Sequence, residues 1–148
     1  VYIGSFDRNL YALNASDGSL KWKFPANNFF WAKPLVHDGL VYAASLDGNV
    51  YALNADTGEK VTEFALGGPV SSSPVVVDNK VIAASEAGTL YSLDGRSNQK
   101  IQLTKLAETV YAPLSTGNGV LYVHTVKDML YAIEARSGAI LWSLTLKE

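Results

Sequence analysis

The sequence contains no cysteine, one methionine and only two histidines among its 148 residues. Without thiols there is no disulfide framework, no thiolate metal site and no cysteine nucleophile. His37 and His124 fall at different positions of the repeat described below, whereas a metal site needs ligands that converge. Neither a nucleophile elbow nor a phosphate-binding glycine motif is present. We therefore predict a protein without a catalytic centre or a metal site.

Excess charge of one sign and long apolar runs are also missing. Twelve Lys and Arg residues stand against 14 Asp and Glu residues, so the formal net charge is −2. This balance supplies no basic footprint for nucleic acid, and no apolar run approaches the roughly 20 residues that span a bilayer. We expect neither nucleic-acid binding nor a membrane span. Because the chain begins at Val1 inside a patterned segment, without an initiating Met or a leader, we expect a fragment or a processed product.

One tetrapeptide pattern, Leu-Tyr-Ala-Leu and close variants of it, occurs four times. The copies occupy residues 10–13, 50–53, 90–93 and 130–133, so their starts lie forty residues apart. A fixed period of this length is typical of repeat architectures. We predict a single domain over residues 1–148, built from repeats at 1–40, 41–80, 81–120 and 121–148.

Each repeat has the pattern of four short strands joined by tight turns. Alternating β-branched, aromatic and small residues, as in Val-Tyr-Ala-Ala-Ser at 41–45, are typical of a strand, and Asp47-Gly48 favours a tight hairpin. Helical periodicity is absent. Four antiparallel strands in about forty residues form one blade of a β-propeller. We predict an all-β chain of about 3.75 four-stranded blades, because the first repeat begins on a second strand, within a ring of seven or eight blades.

Residues 12–22 resemble the tryptophan-docking motif of the PQQ-like (pyrroloquinoline-quinone-like) propeller repeats, A-x-D-x-x-T-G-x-x-x-W. Asn14 replaces the Asp of the motif and Asp17 replaces its Thr, and Thr62 and Gln102 stand at the Trp position of repeats two and three. In that family the Trp of the outermost strand lies over the turn glycine of the adjoining blade. The resemblance thus implies docking roles for Trp22, Trp142, Gly18, Gly58 and Gly138, and we expect Trp142→Ala mainly to destabilise the fold.

The resemblance raises the question of a quinone cofactor. Quinoprotein dehydrogenases bind their quinone at the centre of a complete eight-bladed propeller, with calcium, a catalytic Asp and usually a vicinal disulfide. This chain has no cysteine and about half of those blades. We therefore expect that neither PQQ nor calcium binds and that the chain is not an enzyme. A fragment of a PQQ-dependent dehydrogenase and a ligand-sensing domain of a receptor kinase are the alternatives.

The most aromatic stretch of the chain is Asn-Asn-Phe-Phe-Trp at 27–31, in a loop that precedes an innermost strand. Departures from a repeat tend to carry function, because loops vary while the scaffold is kept. An aromatic centre with a charged border is the usual anatomy of a protein-binding surface. We predict a surface for a protein or peptide partner formed by Phe29, Phe30, Trp31, Tyr111, Arg8 and Lys127.

Within this repeat family, the chain most resembles BamB-like propellers. This resemblance implies a non-catalytic scaffold of outer-membrane-protein assembly in the periplasm, cell envelope or extracellular space, whose targeting signal is not visible in this segment. Since the chain cannot close neatly as a four-bladed ring, we expect it to continue into further blades or to pair with a second copy.

Overall fold

The computed structural model describes residues 1–146, which form fifteen strands in four antiparallel sheets. The first sheet contains β1 (Tyr2–Gly4), β2 (Asn9–Leu13) and β3 (Leu20–Pro25). The second contains β4 (Leu35–His37), β5 (Leu40–Ala44), β6 (Asn49–Asn54) and β7 (Lys60–Ala65). The third contains β8 (Val75–Val77), β9 (Lys80–Ala84), β10 (Thr89–Asp94) and β11 (Gln99–Lys105). The fourth contains β12 (Ser115–Gly117), β13 (Val120–His124), β14 (Met129–Glu134) and β15 (Ile140–Thr145).

Each sheet is one blade, numbered 1 to 4 in chain order, and its strands follow one another in space as they do in sequence. Blade 1 has three strands and the other blades have four, so the all-β fold and the blade number predicted from the repeat are confirmed. The short first strands of blades 3 and 4, β8 and β12, contact each other and are the innermost strands. Residues 147 and 148, the end of the fourth predicted repeat, lie outside the described residues.

The hairpin turns depend on residues that tolerate positive φ. The β1–β2 hairpin and its three counterparts each place one such residue at the same repeat position, namely Arg8, Gly48, Gly88 and Asp128. The hairpin between β4 and β5 has two in succession, Asp38 at φ 50° and Gly39 at φ 72°. Two consecutive residues with positive φ are the mark of a type I′ turn, whose twist matches that of the flanking strands.

The core lies between the blades. One buried cluster joins blades 1 and 2, a second joins blades 2 and 3, and a third joins blades 3 and 4. Alanines of the central strands, such as Ala43, Ala44 and Ala52, are almost completely buried and allow the sheets to approach closely. Each blade thus buries its apolar faces only against its neighbours, as in other repeat proteins.

The third blade differs from the other blades in the position of its β-bulge. In blades 1, 2 and 4 the register between the two outer strands shifts after the alanine of the tetrapeptide, whereas in blade 3 it shifts between Leu90 and Tyr91. Consequently Ile101 pairs with Ser92, and Gln102 pairs with Tyr91. The assignment of Gln102 to the Trp position was wrong, because a bulge two residues earlier displaces the strand.

Candidate binding surface

One face of the molecule, which we call the loop face, carries two sets of connections. These are the loops that lead to the innermost strands and the β1–β2, β5–β6, β9–β10 and β13–β14 hairpins. The Phe30 backbone N–H donates to the Ser5 carbonyl (3.3 Å), and the Leu46 N–H donates to the Phe29 carbonyl (2.9 Å). In blades 3 and 4 the Val126 N–H donates to the Thr109 carbonyl (3.1 Å). The loop after β3 is therefore held by the hairpins of blades 1 and 2, and the loop after β11 is held by the hairpin of blade 4.

Three aromatic rings meet on the loop face at blade 1. Phe6 lies edge-on to Phe29, with ring centroids 5.6 Å apart, and edge-on to Trp31 at 5.2 Å. Phe6 is 62% exposed and Trp31 is 63% exposed, while Phe29 is half-buried. We call Phe6, Phe29 and Trp31 the aromatic cluster. Phe6 is not among the partner-binding residues predicted from the sequence, although it too differs from its equivalents in the other repeats, which are Leu46, Glu86 and Val126.

Phe30 does not belong to this surface, and its prediction as a partner-binding residue is wrong. It is only 3% exposed, its ring packs on Tyr51 with centroids 6.0 Å apart, and its Cβ lies against Gly4. The equivalent residues Val70 and Val110 are completely buried as well. Position 30 is thus a core position of the repeat, and the apolar residues at 30, 70 and 110 were the signal that could have shown it.

The predicted charged border has one residue at each end of the chain. Arg8 and Lys127 are exposed in the hairpins of blades 1 and 4. Next to Arg8, the Asp7 carboxylate accepts hydrogen bonds from the Tyr11 hydroxyl and the Asn9 backbone N–H. The Tyr11 hydrogen bond is the largest cause that lowers the Asp7 pKa to about 2. Asp7 is therefore ionised at neutral pH, so the border at blade 1 carries both signs of charge.

Tyr111 lines a separate shallow hollow of about 140 Å³ on the loop face, together with Ala112, His124, Thr125 and Val126. The buried His124 Nε2 and Thr125 Oγ1 atoms have no hydrogen-bond partner within residues 1–146. The nearest carboxylate oxygen to His124 Nε2 is Asp128 Oδ1 at 3.9 Å, which is too long for a hydrogen bond. Both atoms are buried, whereas the Tyr111 and Val126 side chains are exposed, so the hollow offers mainly apolar surface to a bound side chain.

A larger concavity of about 280 Å³ lies on the opposite face, between blades 2 and 3. Its lining is mixed and includes His37, Lys80 and Asp94. Arg96 Nη2 donates to the Asp38 carbonyl at 2.7 Å across its edge. Arg96 Nε also forms an ion pair with Asp38 Oδ2 at 3.7 Å. An equivalent ion pair, from Arg136 Nε to Asp78 Oδ2 at 3.1 Å, joins blades 3 and 4. Among residues 1–146 no three His, Asp or Glu side chains are grouped closely enough to hold a metal ion.

The predicted docking contact is present between blades 1 and 2. Trp22 is 8% exposed, and a Cβ added to Gly58 would lie 2.6 Å from its Cδ2 atom. The indole Nε1 donates to the Ala55 carbonyl (3.1 Å), and the Tyr2 hydroxyl donates to the same oxygen (2.8 Å). Gly58 has φ +76°, so this turn needs glycine both for its backbone conformation and for the room that the indole takes.

The other docking positions differ from this one. Between blades 2 and 3 the Thr62 hydroxyl donates to Asn98 Oδ1 at 2.6 Å, which replaces the Trp–Gly contact by a hydrogen bond. A Cβ at Gly138 would meet the Leu103 backbone rather than an indole, and Gly18 has open space around its Cβ position.

Trp142 has no turn of another blade over it within residues 1–146. It is 47% exposed, and its ring contact is with Tyr122, at a centroid distance of 6.1 Å. The expectation that Trp142→Ala mainly destabilises this chain is therefore corrected, because a half-exposed ring removes little apolar surface from water.

The fold and the repeat were compared with known proteins. A computationally designed protein, Ika8, known from its crystal structure, superposes with a TM-score of 0.85 over 97% of this chain at 14% identity. The chain spans 45% of that protein, so it is about half as long, and the likeness shows the fold alone. No functionally curated protein matches this sequence. No helix within residues 1–146 is long and apolar enough to cross a membrane.

The family model described as outer membrane protein assembly factor BamB matches residues 1–109 and 46–148, two overlapping segments that together cover the chain. This match confirms the family indicated by the docking motif of residues 12–22. The chain therefore belongs to the BamB-like family of PQQ-like repeat propellers.

Proposed function

We propose that this chain is a non-catalytic scaffold that binds an extended segment of a protein partner on its loop face. The observation that carries the proposal is the aromatic cluster, in which Phe6 and Trp31 each expose more than half of their surface next to the half-buried Phe29. Contiguous exposed aromatic surface marks interaction sites, and Trp is among the residues that contribute most to binding energy.

The hollow at Tyr111 supports the same proposal. It lies on the loop face, it has the volume of about one side chain, and its surface is mainly apolar. An apolar side chain of a bound segment that fills the hollow would remove this surface from water. Arg8 and Lys127 are exposed and the ionised Asp7 lies beside Arg8, so the border suits a segment that carries both signs of charge, since complementary charge raises the association rate.

Membership of the BamB-like family supports a place in the cell envelope and a role in assembly of outer-membrane proteins. In this role the chain holds a partner segment in position rather than changing it chemically. Exposed aromatic side chains suit such work, because they bind many apolar segments with little loss of conformational entropy.

The test is selection of 12-residue peptides from a random displayed library on the immobilised chain, followed by titration of the selected peptides by fluorescence polarisation. We expect Trp31→Ala and Phe6→Ala each to weaken binding by roughly tenfold or more, as for hot-spot aromatics. Ile101→Ala is the matched control, because Ile101 is also an exposed apolar residue but lies on the outer strand of blade 3. Equal losses in all three variants, or no selected peptide, would contradict the proposal.

A calorimetric titration with PQQ and calcium addresses the dehydrogenase alternative. Stoichiometric heat with both ligands would favour that alternative over the scaffold. A flat titration together with loss of peptide binding in Trp31→Ala would favour the scaffold.

A further inference from the structure

Trp31 carries a polar group that the fold does not use. Within residues 1–146 its indole Nε1 donates no hydrogen bond, and the side chain is 63% exposed. The indole N–H of Trp22, by contrast, donates to the Ala55 carbonyl at 3.1 Å. A tryptophan N–H usually has an acceptor when its ring is covered. A partner that covers Trp31 therefore has to bring a hydrogen-bond acceptor with it.

The backbone beside the aromatic cluster is already hydrogen-bonded within the chain. The Phe29 N–H donates to Asn28 Oδ1 at 2.8 Å, and the Phe29 carbonyl accepts from the Leu46 N–H at 2.9 Å. The Asn28 carbonyl accepts from the Ser45 hydroxyl at 3.2 Å. Strand addition needs a row of unpaired backbone groups, so a partner cannot bind here by extending a sheet.

Phe6 occupies a repeat position that stays accessible in the inner blades as well. Its equivalents in blades 2 and 3 are Leu46 and Glu86, and both are only partly buried. A loop from the preceding blade is in place beside each of them, as in the hydrogen bond from the Glu86 N–H to the Pro69 carbonyl at 2.8 Å. A preceding loop thus leaves the side chain at this position accessible. The other two rings lie in the loop between blades 1 and 2, both of which the structure describes.

The three rings of the aromatic cluster cover a short length. The ring centroid of Phe6 lies 5.6 Å from that of Phe29 and 5.2 Å from that of Trp31, and the sum of these distances limits the length of the cluster. A polyproline II helix advances roughly 9 Å in one turn of three residues, which is a length of the same order. One turn of such a helix is therefore enough to cover the cluster.

Charge complementarity favours a proline-rich segment. The face of an aromatic ring is partially negative, and the C–H groups next to the amide nitrogen of proline are partially positive. A polyproline II helix has no internal hydrogen bonds, so its carbonyls remain free to accept, whereas a helix or a sheet uses its own carbonyls. Such a segment therefore brings the acceptor that the Trp31 indole lacks, and it loses little entropy because its conformation is preformed.

We propose that the segment bound by the aromatic cluster is rich in proline and binds as a polyproline II helix, with prolines on Phe6, Phe29 and Trp31 and a carbonyl on the Trp31 indole N–H. This inference rests on the proposed function and specifies the partner. Asp7 and Arg8 follow Phe6 and are exposed, so they suit charged residues that flank the prolines.

The test is fluorescence polarisation with two labelled 12-residue peptides, one of four Pro-Pro-Ser repeats and one of four Thr-Val-Ser repeats. Both peptides favour extended conformations, but only the first favours polyproline II. Each is titrated with the chain to about 1 mM, so that weak binding is measured. We expect saturable binding of the proline peptide, at least about tenfold tighter than that of the control peptide.

Two substitutions at one position separate the ring from its donor. Trp31→Phe keeps an aromatic ring but removes the N–H, so it should weaken binding of the proline peptide by roughly two- to tenfold, the scale of one hydrogen bond. Trp31→Ala removes both and should weaken it by roughly tenfold or more. Ile101→Ala, which changes an exposed apolar residue on the outer strand of blade 3, is the matched control and should leave binding unchanged. Circular dichroism shows whether each variant folds.

A proline peptide that binds no tighter than the control peptide, or that binds equally well to Trp31→Phe, would overturn this inference. The random library distinguishes it from the proposed function. Selected peptides that lack prolines three residues apart but still need Trp31 would overturn this inference alone. No selected peptide and no binding of either synthetic peptide would contradict both.

Discussion

At the scale of single residues, the same side chain has different roles at different ends of the chain. Trp22 covers Gly58 and donates a hydrogen bond to a carbonyl of the next blade, whereas Trp142 is half-exposed. Both tryptophans occupy the same position of the repeat. The neighbouring blade, not the residue type, decides which of them stabilises the fold.

This difference predicts unequal costs of truncation. Trp22→Ala removes a buried ring and its hydrogen bond, so we expect a loss of about 3–5 kcal/mol in the free energy of unfolding. Trp142→Ala should cost less than about 1 kcal/mol in the monomer, because its ring is half in water already. Urea denaturation at low micromolar concentration measures both values. Similar losses for the two variants would show that Trp142 is packed as tightly as Trp22.

Asp7 predicts a dependence of stability on pH. Its pKa is lowered to about 2 in the folded chain, chiefly by the Tyr11 hydroxyl, and lies near 3.9 in an unfolded chain. A lowered pKa contributes stability that is present above about pH 4 and is lost as the pH falls toward 2. Asp7→Asn and Tyr11→Phe should therefore both flatten the decline of the thermal midpoint between pH 4 and pH 2. A decline as steep as that of the wild type in both variants would contradict this assignment.

At the scale of elements, the loop at 26–34 combines core and surface functions in adjacent residues. Its backbone is hydrogen-bonded to the hairpin of blade 1 through Ser5 and to the hairpin of blade 2 through Leu46. Phe30 points between the two blades, while Phe29 and Trp31 point toward the loop face. The core residue thus fixes the position of the two residues proposed to bind a partner.

Adjacent substitutions in this loop should separate stability from binding. Phe30→Ala empties a core position and should lower the free energy of unfolding by about 3–5 kcal/mol. Trp31→Ala removes an exposed ring and should change it by about 0.5 kcal/mol or less. Denaturant titration of the two variants provides the comparison. A large loss in Trp31→Ala would show that the aromatic cluster is structural and would weaken the proposed function.

At the scale of the whole molecule, burial is highest in the middle blades and lowest at the two ends. All five residues of β5 are buried, whereas only two of the five residues of β13, the equivalent strand of blade 4, are buried. Since each blade is stabilised by its neighbours alone, the end blades have half the interfacial support of the middle ones.

This gradient predicts the order of local opening in the monomer. Amide hydrogen exchange followed by mass spectrometry should show slower exchange in β5 and β6 than in the equivalent strands β13 and β14, because local opening costs least where few buried contacts are broken. Uniform protection across all four blades would contradict the gradient.

The repeat and the four-blade fold could be predicted from the sequence, because they depend on local features that recur every forty residues, and the family was indicated by the resemblance of residues 12–22 to a known docking motif. Glycines that take positive φ in turns, such as Gly48 and Gly58, and strands of alternating residue character can be recognised in the sequence. The residues of the candidate binding surface were harder to predict from the sequence than the fold. Phe30 was mistaken for surface, Phe6 was missed, and the early bulge in β10 moved Gln102 out of the Trp position.

By itself, the sequence determined which strands form, where they turn and that they stack as blades, since hydrophobic alternation and turn chemistry act over a few residues. Only the tertiary structure decided which side chains each interface buries. Trp22 and Trp142 have the same local pattern, but burial depends on a neighbour that the pattern does not specify. The same is true of Phe29, Phe30 and Trp31, whose orientation follows from the hydrogen bonds that hold their loop between two blades.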